Sequence, residues 1–256
     1  MLLIGGKSVD SKNNLEREIK SMQTALDSAK LYKDLFAHDV NNILQTIQSA
    51  ADLLSMKLNK LEADEDINNY LRIINEQINR GARLVSNIRK LSDVEEKEIK
   101  VKPIDYKSVL KNAIGNIKRS YQNKSIEIKL DEINDSFRIK ANSFLQDVFE
   151  NILTNAVKYN ERDTVKIQIE ISKQMKNDIS YVKFEFKDNG IGIPDKFKDT
   201  IFERSKTFDQ SRTGMGIGLS LVKQVLEHYQ GEIWVENRIE GKPSKGSNFV
   251  LLIPKA

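Results

Sequence analysis

Asp188-Asn189-Gly190-Ile191-Gly192-Ile193-Pro194 is the stretch on which the reading of this chain turns. It follows Tyr181-Val-Lys-Phe-Glu-Phe186, whose period of two marks a half-buried strand. Asp188 therefore ends a strand, and the glycines open a turn. A carboxylate there can accept a hydrogen bond from an exocyclic amine such as that of adenine. Gly190 and Gly192 permit backbone shapes, and an approach to a ligand, that a β-carbon blocks. Taken alone, the stretch reads equally well as a loop with a turn aspartate.

Two further elements flank it. Upstream, Asn151 and Asn155 stand four residues apart in Asn151-Ile-Leu-Thr-Asn155-Ala-Val-Lys158-Tyr159, on one face of a helix predicted over 142–159. They lie among apolar residues, where an unpaired amide is costly. An asparagine oxygen suits Mg²⁺, which keeps waters and phosphate oxygens as its other ligands. Lys158, one turn on, is placed for phosphate. The plain alternative is a helix with two exposed or capped asparagines. Downstream, Gly214, Gly216 and Gly218 precede a helix predicted over 217–229. Bared N–H groups at a helix N-terminus bind phosphate oxygens, and the same glycines also suit a flexible lid hinge. No structural need makes all three elements coincide in this order, so together they read as a nucleotide pocket.

The rest of the chain falls into two parts. From about Leu15 to Leu61 there is neither proline nor glycine. Val40, Ile43/Leu44, Ile47, Ala50/Ala51, Leu54, Leu58 and Leu61 recur at helical spacing. A turn is expected at 62–66, and then a second stripe runs Ile67, Tyr70/Leu71, Ile74, Ile78, Val85, Ile88, Leu91. Two such helices make an antiparallel hairpin. A hairpin alone cannot cover its apolar stripes, so a homodimeric four-helix bundle is expected. Pro103 ends this part. The predicted domains are a short tail over 1–14, a signalling helix and hairpin over 15–99, a linker at 100–103, and a second domain over 104–256. In the last, helices alternate with strands predicted at 125–130, 137–140, 165–171, 181–186, 232–236 and 247–253. The fold class is α+β, a sandwich with helices on one face.

Bulk composition excludes several classes. The chain has 256 residues, no cysteine and two histidines, so disulfides, thiolate sites and most zinc sites are ruled out. The net charge of +4 comes from interspersed Lys and Glu rather than from a basic block, which argues against nucleic acid. No apolar run is long enough to span a bilayer, and the start lacks the features of a signal peptide. A cytoplasmic location is expected.

The three elements resemble the N box and the two glycine boxes of the GHKL ATPase superfamily, and in detail those of histidine protein kinases. Ile201-Phe202-Glu203-Arg204 resembles the kinases' F box, and Gly231-Glu-Ile-Trp234-Val-Glu236-Asn237 their closing strand. The likeness runs from about Ala29 to the C-terminus. It implies a GHKL α/β sandwich with a mixed sheet, and ATP and Mg²⁺ as cofactors. It implies Mg²⁺ on Asn155, and phosphate and base lined by Asn151, Lys158 and Tyr159. Asp188 would take adenine beside Gly190, Gly192 and Ile193. Arg212, Gly214, Gly216, Gly218 and Leu219 would complete the nucleotide site, within and after a mobile lid at about 195–215. The usual aromatic and arginine after the F box are missing from Ser205-Lys206-Thr207. Lys206 and Arg212 are both candidates for the positive charge at the γ-phosphate.

His38-Asp39-Val40-Asn41-Asn42 lies in the first helix. His38 is two residues before Val40, some 200° around the wheel, and so faces away from the apolar stripe. Its free pKa near ~6.5 leaves a neutral, nucleophilic imidazole at neutral pH. A lone helix histidine is ordinarily a surface residue, but this one resembles the phosphoacceptor of the kinases' H box. The resemblance implies autophosphorylation of His38 with Asp39 as base, and Asn42 positioning water to dephosphorylate a partner receiver domain. A response regulator is thus the implied partner. Ile43 stands where many members carry proline. His228 reads as structural. The sensor input is not visible. Rival readings are another GHKL ATPase and a pseudokinase scaffold that binds receivers without chemistry.

Overall fold

The computed structural model describes residues 19, 22, 40–59, 64–96, 100–131, 137–203 and 217–256. The chain divides into two compact units, Met1–Ile88 and Arg89–Ala256. The division falls inside a helix, so the last two turns of that helix belong to the second unit.

The first unit contains α1 (Asn41–Asn59) and most of α2 (Asp64–Glu96). Ile43, near the start of α1, lies 3.7 Å from where a β-carbon on Gly81 would stand. These two residues are about equally far from the 60–63 connection, so the helices run antiparallel. The expected turn at 62–66 is shorter on its second side, because α2 already begins at Asp64. The stripes are only partly covered. Of the stripe residues, Ile43, Ala50 and Ile88 are buried, but Leu44, Leu71, Ile78 and Val85 are exposed, Leu44 by 56% and Ile78 by 53%; beside the stripes, Leu84 is buried, and Leu53 and Met56 are exposed. Each such residue, if fully covered, adds on the order of 2 kcal/mol.

The second unit is built on a five-stranded sheet in the order β2-β4-β5-β7-β6. The strands are β2 (Ser125–Asp131), β4 (Thr164–Lys176), β5 (Ile179–Asp188), β6 (Glu232–Asn237) and β7 (Ser247–Pro254). β2 and β4 are parallel and the other pairs antiparallel, so the sheet is mixed. A separate ribbon pairs β1 (Lys102–Ile104) with β3 (Ile139–Ala141). Residues 102 and 103, read from the sequence as linker, are therefore strand. β4 runs five residues past the expected end at Ile171. Its alternation fades there, but pairing with β5 continues to Lys176↔Ile179. Asn177 and Asp178, both at positive φ, close the two-residue turn.

The helices are α3 (Tyr106–Ser120), α4 (Phe144–Lys158) and α5 (Ile217–His228). Asp105 caps α3 by accepting a bond from the Lys107 N–H at 3.0 Å. α4 buries Leu145, Val148, Phe149, Ile152, Leu153, Ala156 and Val157. Phe149 packs on Phe184 and Phe186, at 5.4 and 5.9 Å between ring centroids, which docks α4 on β5. The Tyr229 hydroxyl donates to Asn142 Oδ1 at 2.5 Å, and that oxygen also accepts from the Phe144 N–H at 2.9 Å. The end of α5 is thereby tied to the start of α4.

Candidate functional site

α4 is the axis of the site. Its C-terminal end abuts the turn that follows β5. The Ile191 N–H donates to the Tyr159 carbonyl at 3.1 Å. A β-carbon on Gly190 would stand 2.5 Å from that same carbonyl oxygen and 2.9 Å from Asp188 Oδ1, so only glycine fits. Gly192 is at φ +73, and a β-carbon there would fall 1.6 Å from the Pro243 carbonyl oxygen. The turn is thus wedged between α4 and the 243–246 segment.

Asp188 is 6% exposed. Its Oδ1 accepts from the Gly190 N–H at 2.8 Å and the Ser247 N–H at 3.3 Å, and Oδ2 takes neither bond. Burial pushes the carboxyl up to about 6, against those two N–H groups and the charge of Arg238, which pull it down. The result is a desolvated carboxylate with one oxygen committed and, among the described residues, no hydrogen bond to the other, which fits an amine donor.

A buried asparagine pair joins the two elements. Asn160 Nδ2 donates to Asn189 Oδ1 at 2.7 Å, and the Lys166 N–H donates to the same oxygen at 2.8 Å. Asn189 Nδ2 donates to the Thr164 carbonyl at 3.1 Å, and Arg162 Nε to the Asn189 carbonyl at 2.8 Å. These residues fix the Asp188 turn against the end of α4.

One and two turns back along α4 stand Asn155 and Asn151. Asn151 Nδ2 donates to the Asp147 carbonyl at 2.8 Å, which leaves Oδ1 facing the start of α5. There a β-carbon on Gly218 would lie 2.5 Å from that oxygen. The glycine-rich helix start and the asparagine helix are therefore in contact. Asn155 is half-buried, and among the described residues no hydrogen bond holds its carboxamide. A magnesium ion that takes one protein oxygen and fills its shell with water and phosphate suits such a group.

The Lys158 ammonium lies 5.0 Å from the centroid of the Tyr159 ring. Ile193 and Leu219 are half-buried. The second unit thus brings together Asn151, Asn155, Lys158, Tyr159, Asp188, Gly190, Gly192 and Gly218. Asn42 is exposed on α1, in the first unit. His38, Asp39, Arg212, Gly214, Gly216 and residues 204–215 of the expected lid lie outside the described residues. His228 Nδ1 donates to the Gln224 carbonyl at 2.9 Å, a contact within its own helix. Sequence reasoning missed Asn160, Asn189, Arg162, Gly246 and Ser247.

Comparison with known proteins also divides the chain in two, though its first part runs past Ile88. Residues 36–97 match the family model His Kinase A (phospho-acceptor) domain. Residues 140–256 match the model Histidine kinase-, DNA gyrase B-, and HSP90-like ATPase. The chain is 26% identical over 239 residues to phytochrome-like protein Cph1 of Synechocystis sp., covering 92% of this chain and 30% of that protein. It is 29% identical over 191 residues to the sensor protein kinase WalK of Staphylococcus saprophyticus, covering 72% and 30%. The chain spans about a third of the length of these relatives. Among solved structures, histidine kinase ThkA in complex with response regulator protein TrrA aligns with a TM-score of 0.68 at 19% identity, covering 95% of this chain and 66% of that one. Full-length ShkA in complex with AMPPNP aligns with a TM-score of 0.56 at 18% identity, covering 88% and 46%. At these identities the structural likeness is one of fold.

Proposed function

The chain belongs to the histidine protein kinases, and from that premise we propose that it binds ATP with Mg²⁺ in its second unit and phosphorylates its own His38. The observation that carries this reading is the layout along α4. The buried Asp188 carboxylate meets one end of the helix, and the glycine start of α5 meets Asn151 two turns earlier. Adenine at the first place directs the phosphates toward the second.

Asp188 Oδ2 accepts from the adenine amine. Burial of that carboxylate removes water that would compete for the bond. Asn151 and the bared N–H groups at the start of α5 hold phosphate oxygens. Asn155 would hold the magnesium ion, which would supply positive charge to offset that of the phosphates. An imidazole nitrogen of His38 attacks the γ-phosphorus in line, forming an N–P bond as the bond to the ADP oxygen breaks. Asp39 orients the imidazole and takes its proton. Most of the acceleration then comes from positioning and charge neutralisation. The phosphoryl group passes on to an aspartate of a receiver domain. The ThkA structure, solved with a response regulator, supports a receiver as partner. The exposed apolar residues of α1 and α2 support a homodimer through the hairpin.

The test is incubation with γ-labelled ATP and Mg²⁺. Native protein should take up acid-labile, alkali-stable label, and His38→Ala should take up none. Asn42→Ala should label normally but lose receiver dephosphorylation. Label persisting in His38→Ala would refute the acceptor, and tight ATP binding without label would favour the scaffold reading.

Gly218→Ala probes the phosphate end separately. The added methyl meets the tip of a side chain rather than backbone. The Asn151 carboxamide can swing away, so the fold should survive. Loss of one well-placed bond costs about 1.4 kcal/mol, or about tenfold in ATP affinity. Calorimetric titration showing unchanged affinity would separate Asn151 from the phosphates.

A further inference from the structure

Asp147, Asn151 and Asn155 follow one another at four-residue spacing, so they lie on one face of α4, about 6 Å apart along the axis. The base end of the site is fixed by Asp188 and Tyr159, and the glycine helix meets Asn151. A nucleotide laid along this face therefore points its phosphates toward Asp147, which is a carboxylate. The charge is misplaced for phosphate, and its field extends beyond its own side chain. The Tyr229 hydroxyl is held above its ordinary range mainly by burial, with the charge of Asp147 adding to the rise.

Lys90 answers that charge. It lies on the last turns of α2, within the second unit, and its ammonium is paired with Asp147 Oδ1 in a partly buried contact. We propose that Lys90 masks the Asp147 carboxylate and thereby sets how strongly the site holds the phosphates of its nucleotide. Lys90 acts through Asp147 and does not touch the ligand. The inference rests on the nucleotide reading of the site.

A mask and a plain structural latch make different predictions. A latch, once cut, weakens every ligand and is cut equally from either side. A mask is needed only because Asp147 repels phosphate, so its loss scales with phosphate charge and vanishes when Asp147 is neutral.

The experiment is calorimetric titration of the whole chain with ATP, ADP and adenosine. Lys90→Gln should weaken ATP by about five- to tenfold and ADP by less, and leave adenosine unchanged. The ATP loss should shrink as salt is raised. Lys90→Arg should bind as the native protein does. Asp147→Asn should bind ATP at least as tightly as native, and Lys90→Gln combined with Asp147→Asn should match Asp147→Asn alone. Equal weakening of all three ligands, or equal loss from Lys90→Gln and Asp147→Asn, would overturn the mask. So would native ATP affinity in Lys90→Gln. Native protein that binds none of the three would overturn the nucleotide reading itself, and the mask with it.

Discussion

Asp188→Asn is expected to abolish adenine-nucleotide binding and, at neutral pH, to make the free protein more stable. Both effects come from the burial of one carboxylate. Asp188 Oδ1 already serves two backbone donors, so the substituted carboxamide keeps those bonds with its own oxygen and presents its NH₂ group where Oδ2 was. A donor then faces the donor of the adenine amine, and a loss of at least about a hundredfold in affinity follows. Stability moves the other way because the carboxyl sits at about 6 rather than 3.8, a difference that costs the charged form about 3 kcal/mol.

The pH window follows from the same values. Above about pH 6 the folded and unfolded chains both carry the charge, and the folded state bears its full desolvation cost. Between about 6 and 3.8 the folded chain holds a proton that the unfolded chain has released, so the cost fades as pH falls. The stability gain of Asp188→Asn should thus be largest above pH 6 and shrink toward pH 4. Thermal melts across that range would show it, and a variant that melts below the native protein at about pH 7.5 would sink the argument.

Gly192→Ala should do the opposite and lower both stability and binding. The residue holds φ +73, which costs a side chain about 1–2 kcal/mol, and the new methyl would fall 1.6 Å from the Pro243 carbonyl oxygen. Backbone lies on both sides, so no rotamer change relieves the clash. Together the strain and overpacking should remove about 3–5 kcal/mol. Gly241→Ala is the control. Its φ of +68 is nearly the same, but nothing lies within 4 Å of the added carbon, so only the conformational cost should appear. Equal denaturation midpoints for the two variants would show that the contact with Pro243 does not matter.

These residues also show what was legible in the chain. Asp188, Gly190, Asn151 and Gly218 stand in short motifs whose chemistry is local, and the strands beside them alternate cleanly. Gly246 and Ser247 carry no such mark. A β-carbon on Gly246 would stand 2.0 Å from the Asp188 carbonyl oxygen, and Ser247 contributes only its backbone N–H, from 59 residues away. A backbone donor has no side-chain signature, so nothing in the sequence assigns it to Asp188. Asn160 and Arg162 were missed for a related reason, since their partner Asn189 is known only once β5 lies beside β4. The extension of β4 past Ile171 came from its partner strand and not from its own pattern. The helical periodicity of the hairpin was readable, but not which of its apolar residues a single chain leaves bare.

β7 is the last strand of the second unit in sequence, yet it lies inside the sheet, between β5 and β6. During synthesis the hairpin of β4 and β5 can close early across its two-residue turn, while the slot for β7 stays empty. Until that strand arrives Asp188 lacks its Ser247 donor and the Gly192 turn lacks its wall at Pro243. A growing chain can thus contain nearly every motif of the site without having a site. A site of this build can therefore form only once the second unit has been made as far as β7.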